Sequence, residues 1–171
     1  MNVLKIVKER RSIRDFQKKK IPDDLMIKLM DALIWAPSAG NLQSRKFYFV
    51  KNERMRKLLA QAALNQNFIA DAPLVIVGCA DNRIAKKYGN RGVDLYALQD
   101  VALSIMGMML VAHENGMGST WVGAFREGDV SSILRIPKHL RPVAVVPVGY
   151  PSHIPSPPPR VSPREAVEVI E

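Results

Sequence analysis

The long helical pattern between Asp94 and Glu114 constrains the fold more than any other part of the chain. From Val101 onward it is apolar on nearly every side, whereas a helix on the flank of a small domain keeps a polar face toward water. One domain of 171 residues cannot cover such a helix all round. The apolar stretch is also shorter than the roughly 20 residues that cross a bilayer. The pattern therefore predicts a core helix that also packs against a partner subunit.

Composition places the chain among folded globular proteins, because 47% of its residues are hydrophobic and 24% are charged. We expect a single domain over residues 1–171, in which residues 1–150 form the core. Residues 151–171 form an extended proline-rich tail that ends in a short helix with a capping box from Ser162 to Glu165. The N-terminus has no apolar leader, and Cys79 has no second cysteine to pair with. Both features favour a cytoplasmic protein without a membrane anchor.

Helical and strand patterns alternate along the remaining chain, which predicts a mixed α and β fold. The helices expected before the long one begin at Pro22 and at Asn52, and they end before Pro37 and at about Ala63. The expected strands are Lys46 to Val50, Pro73 to Ala80, Ser119 to Phe125 and Val143 to Val148.

Basic residues concentrate near the N-terminus, within a chain whose formal net charge is +9. The stretch from Lys5 to Lys20 carries eight basic residues and two acidic ones. Within it, Arg10, Arg11 and Arg14 suit a phosphate, because a guanidinium binds phosphate oxygens in a two-pronged geometry at any working pH. Ser12 adds a hydroxyl that can donate to a phosphate or sugar oxygen. Such a cluster is typical of a solvated basic face, or of a site for nucleic acid, an anionic membrane surface or a phosphorylated ligand.

A second polar stretch, Pro37 to Gln43, follows the helix that begins at Pro22. Its backbone groups and the side chains of Ser38, Asn41 and Gln43 lie on a connecting loop, where they could hydrogen-bond the edge of a planar ring. One helix separates this loop from the arginine cluster. The pair of motifs fits a cofactor that is both planar and phosphorylated.

In order and spacing these motifs resemble the nitroreductase family of FMN-dependent oxidoreductases. The resemblance spans nearly the whole chain, from about Asn2 to Glu171. It is carried by the Arg-Arg-Ser-x-Arg start, Ala36 to Gln43, Asp71-Ala72-Pro73 before a strand, the long helix, Gly118 to Phe125, and Pro147 to Pro151.

The resemblance implies a homodimer with an α+β, nitroreductase-like fold, in which helices flank a central, mostly antiparallel sheet. Two FMN molecules would lie at the subunit interface, and the C-terminal tail would reach the partner subunit. At the phosphate end, Arg10 and Arg160 would hold the phosphate, while Arg11 and Ser12 would line the phosphate and the ribityl chain. Arg14 would lie near the N1 and O2 edge and stabilise negative charge there.

The ring end of the flavin would be contacted by both subunits. The partner's loop would contribute Pro37, Ser38, Ala39 and Asn41. Asn65 would bind the pyrimidine edge, although Gln66 and Asn67 offer neighbouring amides. The backbone around Gly123 would offer an N–H to N5, within a stretch made up of Trp121, Val122, Gly123 and Ala124.

The activity implied is reduction of nitroaromatics, quinones or similar electron-poor small molecules by NAD(P)H, through a ping-pong hydride mechanism. No side-chain nucleophile and no metal are expected, since His113, His139 and His153 are far apart in sequence and lack ligand spacing. One alternative is an FMN enzyme with another reaction, such as reductive dehalogenation or flavin fragmentation. The other is a basic nucleic-acid binding module, although its usual motifs are absent.

The sequence departs from the family pattern in three places. Ser44-Arg45 stands where a proline and an aromatic residue are common, and Pro158 replaces a lysine that often precedes the tail arginine. The segment between Asp81 and Asp94 is also short. We therefore expect little material there for a lid over the flavin.

Overall fold

The apolar run that follows Pro73 forms the centre of the sheet. The computed structural model describes residues 2–171. Its four strands are β1 (Arg45–Val50), β2 (Leu74–Asp81), β3 (Gly118–Ser119) and β4 (Leu140–Gly149), and they lie in the order β1-β2-β4-β3. Every neighbouring pair is antiparallel. The predicted α+β fold with an antiparallel sheet is confirmed.

The described residues form eight helices, most of which pack on the two faces of this sheet. They are α1 (Val3–Glu9), α2 (Asp23–Ile34), α3 (Glu53–Ala62), α4 (Phe68–Asp71), α5 (Ala85–Arg91), α6 (Ala97–Glu114), α7 (Glu127–Leu134) and α8 (Pro163–Ala166). Successive side chains of β2 point to opposite faces. Ile76 packs in a core with α2 and α6, whereas Val77 packs in a core with α3, α4 and α7.

The long helix α6 lies across the face of the sheet that contains Ile76. It packs on α2 and comes close to the strand backbone at Gly78, where a Cβ atom would overlap the side chains of Val101 and Ile105. The helical stretch from Asn82 to Glu114 is long and apolar enough to cross a bilayer by length and composition alone. Residues buried against the sheet, such as Val101, show the packing of a core helix.

The helix and strand predictions differ from the structure at several places. Helices α1, α4 and α7 were not predicted, because each has eight residues or fewer and gives too short a pattern to be recognised. The strand expected over Ser119 to Phe125 is reduced to Gly118–Ser119 and an isolated bridge between Val122 and Val145. Between β2 and α6, where little material was expected, the chain forms α5 between a 3₁₀ turn and a π-helical turn.

The C-terminal segment leaves the body of the subunit after Pro151. Ser152 donates its backbone N–H to Asp15 O at 3.0 Å, and every residue from 152 to 171 is exposed. The predicted capping box is present at Ser162 and Glu165, so helix α8 is stabilised locally. Val167, Val169 and Ile170 are between 64% and 89% exposed. Such an apolar and extended segment has no core of its own.

Candidate functional site

The arginine cluster is clamped to the edge of the sheet immediately after α1. Arg10 leaves the helical conformation with φ −52° and ψ 133°. Ser12 then forms a parallel bridge with Ser119, and Ile13 donates its backbone N–H to Ser119 O at 3.1 Å. At Gly118 a Cβ atom would overlap Ile13, so the two segments approach each other closely. The backbone of the cluster is thereby fixed against β3.

Two of the three nitrogen atoms of the Arg10 guanidinium are buried without a partner. Its Nε and Nη1 atoms are inaccessible to solvent and have no hydrogen-bond acceptor among residues 2–171. Burial lowers the pKa of Arg10, and the positive charges of Arg160 and Arg11 lower it further. A buried and unpaired charge is costly, and adjacent like charges add to that cost. Bound anionic oxygens would satisfy these donors, so this set of residues fits a phosphate.

Arg11 differs from Arg10 because its side chain donates hydrogen bonds to backbone carbonyls. Its Nη1 atom donates to Lys8 O at 2.6 Å and to Arg10 O at 2.9 Å. These two acceptors are carbonyls at the end of α1, where unpaired carbonyl groups are expected. Arg11 therefore stabilises the backbone turn that carries Arg10. A cavity of about 100 Å³ lies beside both arginines and is bordered by Ser119, Pro151 and the tail residue Ile154.

A second cluster forms where the turn after α3 meets the chain after β3. Leu64 and Asn65 have positive φ values of 58° and 61°, which produce a sharp turn. Gln66 Nε2 donates to Ala63 O at 2.9 Å and to Ala124 O at 3.3 Å. The Gln66 amide thus donates to backbone carbonyls, whereas the preceding residue, Asn65, is exposed.

The stretch from Trp121 to Ala124 presents backbone groups at this edge. Val122 exchanges two backbone hydrogen bonds of 3.0 Å with Val145, which anchors the stretch to β4. The next residue, Gly123, is exposed, and its N–H has no acceptor among the residues that the structure describes. Trp121 is 37% exposed, and its indole nitrogen lies beside Gly123. A free N–H next to an aromatic side chain can bind the edge of a planar ligand.

Arg14 follows the arginine cluster and contacts α4. Its guanidinium carbon lies 5.8 Å from the centroid of the ring of Phe68, the first residue of α4. The side chain of Arg14 is exposed. The other predicted residues of this subunit fall in two groups: the arginine cluster contains Arg10, Arg11, Ser12 and Arg160, and the second cluster contains Asn65, Trp121, Val122, Gly123 and Ala124.

The loop from Pro37 to Gln43 lies in a different place. Among residues 2–171, no hydrogen bond joins Pro37, Ser38, Ala39 or Asn41 to the cluster around Arg10. The loop instead packs against α6, where Ala39 donates its backbone N–H to the buried Asp100 Oδ1 at 2.9 Å. Gly40 and Asn41 both have φ 54°, so the loop is held in a strained left-handed turn.

Two residues that hold this loop were not predicted from the sequence. Arg45 donates to the carbonyl oxygens of Ile34, Ala36 and Pro37 at 2.7 to 3.1 Å. It thereby fixes the end of α2 and the entry to the loop. Asp100 accepts the hydrogen bond from Ala39 on the other side of the loop. Burial lowers the pKa of Arg45, and the negative charge of Asp100 partly offsets that lowering. No local motif marks this role, although Ser44-Arg45 is one of the places where the sequence departs from the family pattern.

Comparison with known proteins identifies relatives that match most of the chain. The sequence profile of the Nitroreductase family matches residues 7–77 and 60–150. A relative from Methanothermobacter thermautotrophicus, whose name proposes an NADH dehydrogenase/NAD(P)H nitroreductase, is 31% identical over 159 residues. The alignment covers 91% of this chain and 80% of that protein.

Two further proteins extend the comparison. The FMN reductase [NAD(P)H] of Bacillus subtilis is 26% identical over 180 residues, and the alignment covers 96% of this chain and 72% of the relative. Among solved structures, NfrA2 of B. megaterium superimposes with a TM-score of 0.90 at 25% identity. The superposition covers 98% of this chain and 74% of that one.

Proposed function

The chain belongs to the nitroreductase family, and we propose that it is an FMN-dependent oxidoreductase that takes hydride from NAD(P)H in a ping-pong cycle. Its acceptors are nitroaromatics, quinones or similar electron-poor small molecules. Relatives named as FMN reductases and as an NADPH nitroreductase support both the cofactor and the electron donor. The protein is cytoplasmic in this proposal, and residues 1–171 act as one domain.

The observation that carries the proposal is the unpaired guanidinium of Arg10. Two buried nitrogen atoms without acceptors lie near the positive charges of Arg160 and Arg11, and a dianionic phosphate would supply both the acceptors and the opposite charge. We assign the FMN phosphate to Arg10 and Arg160. Arg11 holds the turn that positions Arg10, and Ser12 faces the ribityl chain. A nucleic-acid backbone would need a wider basic surface than this narrow cavity beside β3.

The ring end of FMN is assigned to the second cluster and to Arg14. Asn65 would bind the pyrimidine edge, and Arg14 would place a permanent positive charge near N1 and O2. The free N–H of Gly123 would be the donor to N5, and Trp121, Val122 and Ala124 would form the adjoining surface. When bound, FMN would supply the redox chemistry by accepting a hydride from one small molecule and giving it to the next. The protein binds and orients it.

The second subunit completes this site. Exposed apolar side chains lie on α6 and at the end of α2, where Leu103 and Met106 are 50% and 39% exposed and Trp35 is 84% exposed. An apolar surface of this kind on a folded chain marks an interface. In a homodimer that buries it, the loop with Pro37, Ser38, Ala39 and Asn41 contacts the FMN held by the partner. The exposed tail then also reaches the partner.

The test is anaerobic reduction of FMN-loaded protein followed by an acceptor panel. We expect NADH or NADPH to bleach the flavin absorbance, and a nitroaromatic or quinone to restore it without oxygen. Halogenated aromatic acceptors and free reduced flavin serve as the comparison substrates. Turnover restricted to dehalogenation or to loss of intact flavin would replace the proposed reaction with one of the alternatives. Protein that ignores FMN and binds DNA with a steep salt dependence would contradict the assignment as a flavoenzyme.

A further inference from the structure

A cluster of basic and aromatic residues lies directly beside the loop that contains Gly40. The segment from Asn82 to Tyr96 carries four basic residues and a single acidic one. Arg83 pairs with Asp81, its Nε lying 2.9 Å from Oδ1. Lys87 and Arg91 are exposed and have no acidic partner among residues 2–171.

Two tyrosines hold these cations in place. Tyr88 and Tyr96 meet edge to face, with ring centroids 5.3 Å apart and an interplanar angle of 86°. Arg91 Nε donates to the Tyr96 hydroxyl at 2.9 Å, which leaves both Nη groups available. Lys87 Nζ lies 5.4 Å from the Tyr88 ring centroid. Because both rings pack on the core, the charged ends are positioned rather than free to move widely.

Tyr88 and Lys87 lie close to Gly40 in the loop from Pro37 to Gln43. A Cβ atom added to Gly40 would overlap the Tyr88 hydroxyl and would lie 3.2 Å from Lys87 Nζ. The turn at Gly89, with φ 55° and ψ −150°, is a conformation that favours glycine, and it separates Lys87 from Arg91 along the chain. In the proposed dimer this loop contacts the partner's FMN. Lys87 and Arg91 therefore lie at the mouth of the partner's site, away from the Arg10 and Arg160 pair.

We propose that Lys87 and Arg91 bind the phosphate groups of the nicotinamide dinucleotide while it lies over the partner's flavin. The inference rests on the proposed function and adds the donor-binding residues to it. A dinucleotide carries at least two negative charges that must remain outside the apolar ring site. An arginine with two free Nη groups and a neighbouring lysine match such a ligand.

The experiment compares FMN-loaded wild-type protein with Lys87→Ala/Arg91→Ala. The matched control is Arg54→Ala/Lys57→Ala, which removes the same two charges from exposed positions of α3 on the other face of the sheet. Dissociation constants for NADP⁺ and NAD⁺ are measured by calorimetry. Rates of anaerobic flavin reduction are measured with NADPH, NADH and phosphate-free 1-benzyl-1,4-dihydronicotinamide.

We expect the cluster variant to retain its FMN and its reduction rate with the phosphate-free donor. Its Kd for NADP⁺ should rise on the order of ten- to a hundredfold, and the control should match wild type. An equal rise for NAD⁺ assigns the cluster to the pyrophosphate, whereas a rise for NADP⁺ alone assigns it to the 2′-phosphate. Both results support phosphate binding.

Unchanged dissociation constants for both dinucleotides, or an equal loss with the phosphate-free donor, would overturn the inference. This failure is distinct from failure of the proposed function. If the function itself is wrong, wild-type protein is not reduced by NADH or NADPH at all. If only the inference is wrong, wild type and the cluster variant are reduced alike.

Discussion

Arg10 and Arg160, which are separated by most of the chain, lie close enough that the charge of Arg160 lowers the pKa of Arg10. Folding therefore brings the charges of Arg160 and Arg11 near a guanidinium whose buried Nε and Nη1 atoms have no acceptor among residues 2–171. Such an arrangement costs free energy in the free protein. It is the arrangement that we expect of a site that binds an anion.

Replacing Arg10 with alanine tests this relationship. We expect Arg10→Ala to weaken FMN binding by roughly 10- to 100-fold, because hydrogen bonds to charged groups contribute about 1.5–3 kcal/mol. Binding of riboflavin, which lacks the phosphate, should not change. The apoprotein should unfold at no lower temperature, since the variant removes an unpaired buried charge. Flavin fluorescence titration and thermal unfolding measure the two effects.

The tail provides the matched control for this prediction. Arg160→Ala should repeat the loss of FMN affinity, whereas Arg164→Ala removes the same charge from another exposed tail position. Equal affinities for FMN in these two variants would remove Arg160 from the phosphate site. Equal losses for riboflavin and FMN in Arg10→Ala would show that Arg10 supports the fold of the site and not the phosphate.

Arg14 should affect the flavin's electronic state more than its affinity. A positive charge near N1 stabilises the reduced form, so Arg14→Ala should lower the reduction potential of the flavin that remains bound. A loss of about 1.4 kcal/mol corresponds to roughly 30 mV for a two-electron couple. Arg14→Lys retains the charge and should restore most of the shift. An unchanged potential in flavin-loaded Arg14→Ala, measured spectroelectrochemically, would place Arg14 away from the N1 edge.

Arg45 should matter for stability and for the shape of the loop. Arg45→Ala leaves the carbonyl oxygens of Ile34, Ala36 and Pro37 without their donor. We expect the free energy of unfolding to fall by about 1–2 kcal/mol, since these groups are only partly buried. FMN affinity should fall as well if the loop contacts the partner's flavin. Denaturant unfolding at matched protein concentration measures the first effect, and a stability equal to wild type would contradict it.

The apolar face of α6 tests the dimer. Leu103→Glu places a charge at a position that is 50% exposed in the single subunit and buried in the proposed dimer. We expect sedimentation to show monomers and FMN content to fall together. Leu58→Glu on α3, where the leucine is 38% exposed, is the same substitution on another surface and should leave the dimer intact. A Leu103→Glu dimer with full FMN content would move the interface elsewhere.

Cys79 should be inert while the protein is folded. Burial in β2 raises the pKa of its thiol to about 12, so the reactive thiolate is scarce at neutral pH. Thiol reagents should modify it only after unfolding. Because the folded pKa lies above the value of the unfolded chain, this group favours the folded state below about pH 9. That contribution is lost as pH rises toward 12. Rapid modification of native protein at pH 7 would contradict the burial.

Local sequence patterns predicted most of the fold. Helices α2 and α3, the buried strand β2 and the capping box at Ser162 each have a signal within a few residues, and each is found where expected. Helices α1, α4, α5 and α7 and the length of β3 were not predicted in this way. Contacts between distant segments, such as the bridge from Ser12 to Ser119, determine how far pairing extends at that edge.

The sequence likewise indicated some residues of the candidate site and not others. The arginine cluster and the Pro37 to Gln43 loop were visible as residue types, and the family resemblance supplied their expected order. The support from Arg45 and Asp100 was not visible, because a side chain that binds backbone carbonyls leaves no motif. The position of Lys87 beside Gly40 also depends on tertiary packing, since a run of charges alone is typical of a solvated surface.

We infer that the protein acts as a dimer that binds one FMN per subunit and accepts hydride from NAD(P)H. The most direct measurement is anaerobic titration of FMN-loaded protein with NADH and with NADPH while the flavin absorbance is followed. We predict that one equivalent of at least one of them per subunit reduces the flavin completely, and that a quinone or nitroaromatic then reoxidises it. A dimer that binds FMN stoichiometrically but is reduced by neither nicotinamide would contradict the account.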